Sequence, residues 1–182
     1  MITAVESNVL LDVFVPDPTF GPLSRDALRR CLSEGGLVAC DVVWAEVSAT
    51  FSSSELAART LETLGVTFAP LDMKAAALAG DAWRSYRRRG GERERVIADF
   101  LVGAHARSQA DRLLTRDRGF YRSAFSGLRL VEPTGVQLDA REMNINTLPL
   151  QLVARQAKRI RPGIQGFIHA RGPYAVISLR DV

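Results

Sequence analysis

The chain has 182 residues, 47% hydrophobic and 24% charged, which suits one globular domain with a short appendage. No apolar run approaches the roughly 20 residues of a membrane span, no basic N-terminal secretion signal is evident, and the two cysteines and two histidines have no zinc-binding spacing. The net charge of +4 lies in the tail, because residues 1–135 carry 17 basic and 17 acidic side chains, whereas residues 136–182 carry seven and three. We therefore expect a cytoplasmic protein with free thiols and no membrane contact.

Short apolar runs alternate with helical patterns along the first 131 residues. In chain order, the predicted elements are a strand (2–5), two helices (8–14 and 22–34), a strand (37–39), two helices (42–51 and 54–64), a strand (66–69), two helices (73–89 and 97–109) and two strands (112–115 and 128–131). This order predicts an α/β fold whose parallel sheet is covered by helices on both faces. Ligands of such sheets collect at the carboxyl ends of the strands.

The composition changes near Pro133, which predicts a domain at residues 1–133 and a basic C-terminal extension at residues 134–182. An apolar stripe predicts a helix between Leu150 and Ile160, and residues 166–170 and 174–179 suit a hairpin. Two interpretations of the extension stay open. It is either a disordered or added segment, or a basic amphipathic arm that packs on the domain, a partner or RNA.

Four acidic residues follow strands or lie on helices that can pack at strand ends: Glu6, Glu46, Asp99 and Asp117. Each also has a structural explanation, such as a surface acid, a partner of a helix dipole or a turn residue. If the first and fourth strands are adjacent, Glu6 and Asp117 become neighbours. Converging acids need a counter-charge, and oxygen ligands without His or Cys suit Mg²⁺ or Mn²⁺. Such ions activate water and stabilise phosphoryl oxygens, which points to phosphodiester hydrolysis.

Four segments, ESNVLLDVF, WAEVSATF, RERVIADFLVGAHA and ADRLLTRDRGFYRSAF, resemble in order and spacing the motifs of PIN-domain ribonucleases, especially VapC-type toxins of toxin–antitoxin pairs. The resemblance covers about residues 1–133. It implies a three-layer α/β/α fold with a five-stranded parallel sheet, dependence on Mg²⁺ or Mn²⁺, and endonucleolytic cleavage of RNA. It also implies a homodimer that a cognate antitoxin neutralises.

By position in these motifs, the resemblance implies that Glu46, Asp99 and Asp117 are catalytic metal-site acids. Supporting residues are implied at Asn8, Asp12 and Thr115. The first acid departs from the family, which has aspartate where this chain has Glu6. The extra methylene moves the carboxylate outward by roughly 1.5 Å, and Mg²⁺ demands near-ideal geometry. Glu6 is thus either a tolerated variant or an attenuating one, natural or engineered, and we expect Glu6→Asp to raise activity.

Several arginines flank the acidic motifs, and they are either a solvated, partly salt-bridged face or RNA-phosphate contacts. The predicted RNA-binding residues are Arg93, Arg95, Arg116 and Arg118. The aromatic pair Phe120 and Tyr121 either packs on the sheet or stacks on a base, and the interpretation favoured here is packing. His105 is interpreted as structural.

The leading hypothesis is a metal-dependent endoribonuclease toxin. The alternative is a PIN fold weakened by Glu6 that acts mainly as an antitoxin- or RNA-binding module. A phosphoacceptor receiver-like domain fits less well, because the lysine expected after its last long strand is missing and Lys74 is the only lysine in the first 135 residues.

Overall fold

The computed structural model describes residues 1–15, 17–91 and 97–134, together with the backbone of residues 167–171 and 174–178. Twelve elements form the first part: β1 (Ile2–Val5), α1 (Ser7–Phe14), α2 (Gly21–Glu34), β2 (Gly36–Ala39), α3 (Asp41–Ser48), α4 (Ser54–Thr63), β3 (Val66–Phe68), α5 (Met73–Arg88), α6 (Ile97–Gln109), β4 (Arg112–Leu114), α7 (Arg118–Ala124) and β5 (Leu130–Val131). The predicted alternation of strands and helices is confirmed.

The sheet is five-stranded and entirely parallel, in the order β3-β2-β1-β4-β5. β1 is the central strand, and Val5 at its carboxyl end pairs with Leu114 at the end of β4. The first and fourth strands are therefore adjacent, which is the condition under which Glu6 and Asp117 were expected to be neighbours. The helices around this sheet complete the predicted three-layer α/β/α arrangement.

The core forms because the strands are apolar on both faces and each helix adds an apolar stripe. Its largest fully buried side chains include Phe14, Phe100 and Tyr121 from three different helices. Phe100 lies edge-on to Phe120 with ring centroids 5.1 Å apart. Packing is close enough that a Cβ added to Gly103 would lie 2.2 Å from the ring of Phe125. Close packing at Phe100 and Gly103 of α6 thus fixes this helix against Phe120 and Phe125, at the two ends of α7.

One helix is missing from the sequence prediction. The segment that follows β4 suggested a turn because Gly119 interrupts it, but the chain forms α7 there. The Asp117 carboxylate caps this helix by accepting a hydrogen bond from the Phe120 backbone N–H at 3.2 Å. Two predicted elements were also too long by two or more residues: the helix at 42–51 ends at Ser48, and the strand at 128–131 begins at Leu130.

The backbone of the predicted hairpin pairs as antiparallel strands β6 (Phe167–Arg171) and β7 (Tyr174–Ser178). The predicted helix between residues 150 and 160 lies outside the described residues. The division at residue 133 stays a prediction. Within the described part of the chain, no helix combines the length and apolarity that crossing a membrane requires. The cytoplasmic location also stays a prediction.

Candidate active site

The carboxyl ends of β1 and β4 bring two sequence motifs together. The backbone N–H of Glu6 donates to the carbonyl of Leu114 at 3.0 Å, which continues the strand pairing by one residue. This places Thr115 directly beside Glu6, and the Thr115 hydroxyl donates to Oε2 of the Glu6 carboxylate. The motif at the start of the chain and the motif after residue 111 therefore meet at one point of the sheet edge.

Three side chains donate hydrogen bonds to the Glu6 carboxylate. Besides Thr115, the Asn8 amide nitrogen donates to Oε2 at 2.7 Å, and the Tyr121 hydroxyl donates to Oε1 at 2.9 Å. Glu6 is only 8% exposed. The predicted supporting roles of Asn8 and Thr115 thus correspond to direct contacts with this acid. Tyr121 received no role in the sequence analysis beyond packing.

The charges around Glu6 interact strongly. The pKa of Glu6 is raised from 4.5 to about 7. Burial is the largest cause, the hydrogen bonds from Thr115 and Tyr121 oppose the rise, and the negative charges of Asp117 and Asp99 add to it. Burial also raises the pKa of Tyr121 well above its ordinary value, again with contributions from Glu6, Asp99 and Asp117. Three carboxylates therefore share one electrostatic environment at the strand ends.

The two aspartates of this cluster are held by different elements. The backbone N–H of Asp117 donates to the Thr115 hydroxyl at 2.8 Å, and the Asp117 side chain caps α7, so this residue is fixed at both its backbone and its carboxylate. Asp99 is half-buried in the first turn of α6. Thr115 links the cluster, since it accepts from Asp117 and donates to Glu6.

Glu46 is placed differently from the other predicted acids. It is exposed on α3, while Val43 and Val47 of the same helix are buried. The acids that act on Glu6 and Tyr121 are Asp99 and Asp117. Three of the four predicted acids are thus brought together, whereas the side chain of Glu46 makes no hydrogen bond or ion pair with the residues described.

The donor chemistry of this cluster fits a hard divalent cation, because it consists of carboxylate oxygens with an excess of negative charge. The position of Glu6 fits less well, since both of its oxygens already accept hydrogen bonds from protein donors. Within residues 1–15, 17–91 and 97–134, no group of three or more His, Cys, Asp or Glu side chains is arranged to hold a metal ion. The carboxylate ligands therefore suit Mg²⁺ or Mn²⁺ chemically, but the bonded oxygens of Glu6 are not free to bind such an ion.

The predicted basic residues have protein partners in two cases. The guanidinium of Arg116 lies 3.2 Å from the carboxylate of buried Asp12 and 4.3 Å above the Phe20 ring, and Asp12 also accepts from the Ser24 hydroxyl at 2.6 Å. Arg116 and Asp12 thus join the segment after β4 to α1 and α2. Arg118 is half-exposed and pairs with Glu132. The other two predicted residues, Arg93 and Arg95, lie outside the described residues.

Tyr121 is the site residue that sequence reasoning missed. Its ring packs in the core 5.0 Å from that of Phe120, so the favoured interpretation of packing describes both rings. The available signal was the residue type, because a buried tyrosine almost always needs a partner for its hydroxyl. The identity of that partner depends on a contact between residues 115 positions apart. His105, interpreted as structural, is fully buried in α6.

Comparison with solved structures gives similar folds at low sequence identity. VapBC2 from Rickettsia felis, bound to a promoter DNA fragment, matches with a TM-score of 0.58 and 15% identity, covering 72% of this chain and 98% of that chain. VapBC-1 from Haemophilus influenzae matches with a TM-score of 0.57 and 17% identity, covering 74% of this chain and 100% of that chain. FitAcB from Neisseria gonorrhoeae matches with a TM-score of 0.55 and 20% identity, covering 73% of this chain and 98% of that chain.

A search of curated proteins finds no significant match to this chain. The sequence profile described as the PIN domain, however, matches residues 4–126, which is more than half of the chain and includes all four predicted acids. The fold, the sheet order and the resemblance of the motifs agree with this match. The chain belongs to the PIN domain family.

Proposed function

We propose that the chain is a Mg²⁺- or Mn²⁺-dependent endoribonuclease and the toxin of a toxin–antitoxin pair. The observation that carries the proposal is the convergence of Glu6, Asp99 and Asp117 at the carboxyl ends of β1 and β4. The charges of the two aspartates both raise the pKa of Glu6, and all three acids raise that of Tyr121. Membership of the PIN domain family supports it. The similar folds of VapBC and FitAcB structures support the toxin assignment.

Asp99 and Asp117 are the residues that would hold the cation, with Glu6 as a third acid. When bound, the cation supplies an activated water and stabilises the phosphoryl oxygens during hydrolysis. Thr115 and the cap on α7 keep Asp117 in one orientation, which is what a preorganised site requires. Glu46 stands apart on α3, so its proposed role is an outer acid that faces solvent or substrate.

Phosphate contacts would come from the arginines around the acids. Arg118 is the better candidate among the described residues, because its side chain is half-exposed and its present partner is the single acid Glu132. Arg116 is tied to Asp12 and Phe20, so it serves mainly to fix the segment that carries Asp117. Such contacts would position RNA without reading its sequence.

The proposed partners are a cognate antitoxin and a second copy of the chain. An antitoxin is proposed because the solved structures with similar folds include VapBC assemblies and a complex from Klebsiella pneumoniae described as toxin–antitoxin. A cluster of three carboxylates suits the insertion of a basic side chain from such a partner. Light scattering of the purified chain, alone and with the product of a neighbouring gene, would test both partners.

The decisive experiment measures cleavage of a mixed RNA substrate with Mn²⁺ or Mg²⁺. The variants are wild type, Asp99→Asn and Glu6→Asp, with the exposed acid Asp81→Asn on α5 as the matched control. We expect cleavage by wild type and by Asp81→Asn, more by Glu6→Asp, and a loss of at least about a hundredfold in Asp99→Asn, as for the removal of one key electrostatic group. Cleavage by Asp99→Asn equal to that by an active wild type would refute the assignment.

The burial and bonding of Glu6 favour one alternative, a weakened PIN fold that acts mainly by binding an antitoxin or RNA. In that case wild type cuts no RNA while Glu6→Asp does, because the shorter acid restores the family's geometry. A retained affinity of uncleaved RNA for wild type, measured by fluorescence anisotropy, would then identify the binding role. Greater cleavage by wild type than by Glu6→Asp would exclude the attenuated interpretation.

A further inference from the structure

The Glu6 carboxylate has little acceptor capacity left. A carboxylate offers about four lone-pair positions on its two oxygens. Asn8 and Thr115 occupy two positions on Oε2, and Tyr121 occupies one on Oε1. A cation that takes Glu6 as a ligand must therefore compete with protein donors. The hydrogen bond on Oε1 is the decisive one, because that oxygen has the single donor Tyr121 among the hydrogen bonds of the described residues.

The bond to Tyr121 depends on the length of the side chain at position 6. An aspartate there would withdraw the carboxylate by roughly 1.5 Å. Starting from 2.9 Å, the distance to the Tyr121 hydroxyl would exceed the range of a hydrogen bond. The substitution that separates this chain from its family's motif is thus the one that brings the tyrosine hydroxyl into contact with the first acid.

The tyrosine is held where it is. Tyr121 is fully buried, and its ring lies 5.0 Å from that of Phe120 and 6.5 Å from that of Phe125. A side chain in such a close-packed cluster has no free rotamer into which to turn. Its hydroxyl therefore stays directed at Glu6, and a loss of this bond would leave a buried polar group without its acceptor.

We propose that Tyr121 is a positioning residue that holds the Glu6 carboxylate in a hydrogen bond which a divalent cation must displace, and that it thereby lowers the affinity of the chain for that cation. This inference rests on the proposed function. The attenuation at position 6 is then a property of the pair Glu6 and Tyr121. It arises from competition for one oxygen as well as from an altered ligand distance.

The test measures Mn²⁺ binding to the purified full-length chain by isothermal titration calorimetry, without any RNA. Four proteins form a cycle: wild type, Tyr121→Phe, Glu6→Asp and the double variant. We expect Tyr121→Phe to tighten the Kd about tenfold in the wild-type background, the effect of one net hydrogen bond. In the Glu6→Asp background the same change should alter the Kd less than about twofold, because the aspartate does not reach the hydroxyl.

Tyr86→Phe is the matched control, because Tyr86 lies in the same aromatic cluster, 6.3 Å from the Phe120 ring, and the side chains that donate to Glu6 are those of Asn8, Thr115 and Tyr121. Its Kd should equal that of wild type. Ultraviolet difference spectra add a readout that needs no Tyr121 variant. Mn²⁺ should perturb tyrosine absorbance in wild type, where the bond is displaced, and not in Glu6→Asp.

Each outcome decides a different point. If Mn²⁺ binds and Tyr121→Phe changes the Kd equally in both backgrounds, or not at all, the role of Tyr121 is refuted while the proposed metal-dependent function stands. If no variant binds Mn²⁺, including Glu6→Asp, the proposed function itself is refuted and the inference is refuted with it. If Tyr121→Phe does not fold, an unperturbed tyrosine spectrum in wild type that binds Mn²⁺ refutes the inference.

Discussion

Replacing Glu6 with glutamine removes an acid that the folded chain holds with a pKa of about 7. The unfolded chain has the ordinary value of 4.5, so the folded state binds a proton more tightly. This contribution to stability is fully present below pH 4.5 and is lost as the pH rises through 7, because the unfolded state then gains more from ionisation than the folded state does. Wild type should therefore become less stable between pH 5 and pH 8.

The magnitude follows from the two pKa values. Each unit of difference in pKa corresponds to about 1.4 kcal/mol, so a pKa raised from 4.5 to about 7 contributes about 3 kcal/mol to the free energy of unfolding at low pH. Between pH 5 and pH 8, about 2.5 kcal/mol of this should appear as a fall in the free energy of unfolding. Glutamine keeps the shape of the side chain without the charge, and the Thr115 and Tyr121 hydroxyls can rotate to suit it.

The assay is urea unfolding followed by circular dichroism, in EDTA to exclude metal, at intervals from pH 5 to pH 8. The free energy of unfolding of Glu6→Gln should fall less over this range than that of wild type, by about 2.5 kcal/mol. The exposed acid Glu62→Gln is the control, and its profile should run parallel to wild type. Parallel profiles for wild type and Glu6→Gln would refute the electrostatic account of the site.

Three further predictions concern the fold around the site. Gly103→Ala should destabilise the chain by about 1–3 kcal/mol, because the new Cβ meets the Phe125 ring. Gly80→Ala, with open space around the new Cβ, should instead stabilise the chain by about 0.5–1 kcal/mol. Thermal unfolding of both variants measures these changes, and equal effects would contradict the prediction. Asp12→Ala should lower the free energy of unfolding by about 2 kcal/mol, since it removes the acceptor of the buried Ser24 hydroxyl and the ion-pair partner of Arg116. A urea midpoint equal to that of wild type would contradict this prediction. Burial lowers the pKa of His105, so its contribution to stability is present above pH 6.5 and is lost as the pH falls below that value; an NMR titration of the imidazole with a midpoint at or above 6.5 would exclude this.

Much of the fold could be predicted from local pattern. The five strands and six of the seven helices described in residues 1–134 follow from apolar periodicity and from glycines that end helices. The exception is α7, because its start depends on a cap from Asp117, and in the sequence that residue resembles a turn residue before Gly119. A capping bond gives little signal in a sequence when the helix has only seven residues.

The candidate site divides in the same way. The sequence by itself determined which acids follow strands, and hence that Glu6 and Asp117 would be neighbours if their strands were adjacent. The other two acids, Asp99 and Glu46, were placed on helices that could pack at strand ends. The structure brings the first of these to the site and leaves the second exposed on α3. Periodicity specifies which face of a helix is buried, but the partner of a given side chain depends on how helices pack.

Only the tertiary structure decided the state of Glu6. Its pKa depends on burial, on two acids more than 90 residues away in sequence and on the Tyr121 hydroxyl, none of which local pattern encodes. The apolar pattern along the chain is a short-range property, and it predicted the strands, most of the helices and a parallel sheet covered on both faces. The contact of one carboxylate with a hydroxyl 115 residues later is a long-range property, and it is set by side-chain length and packing together.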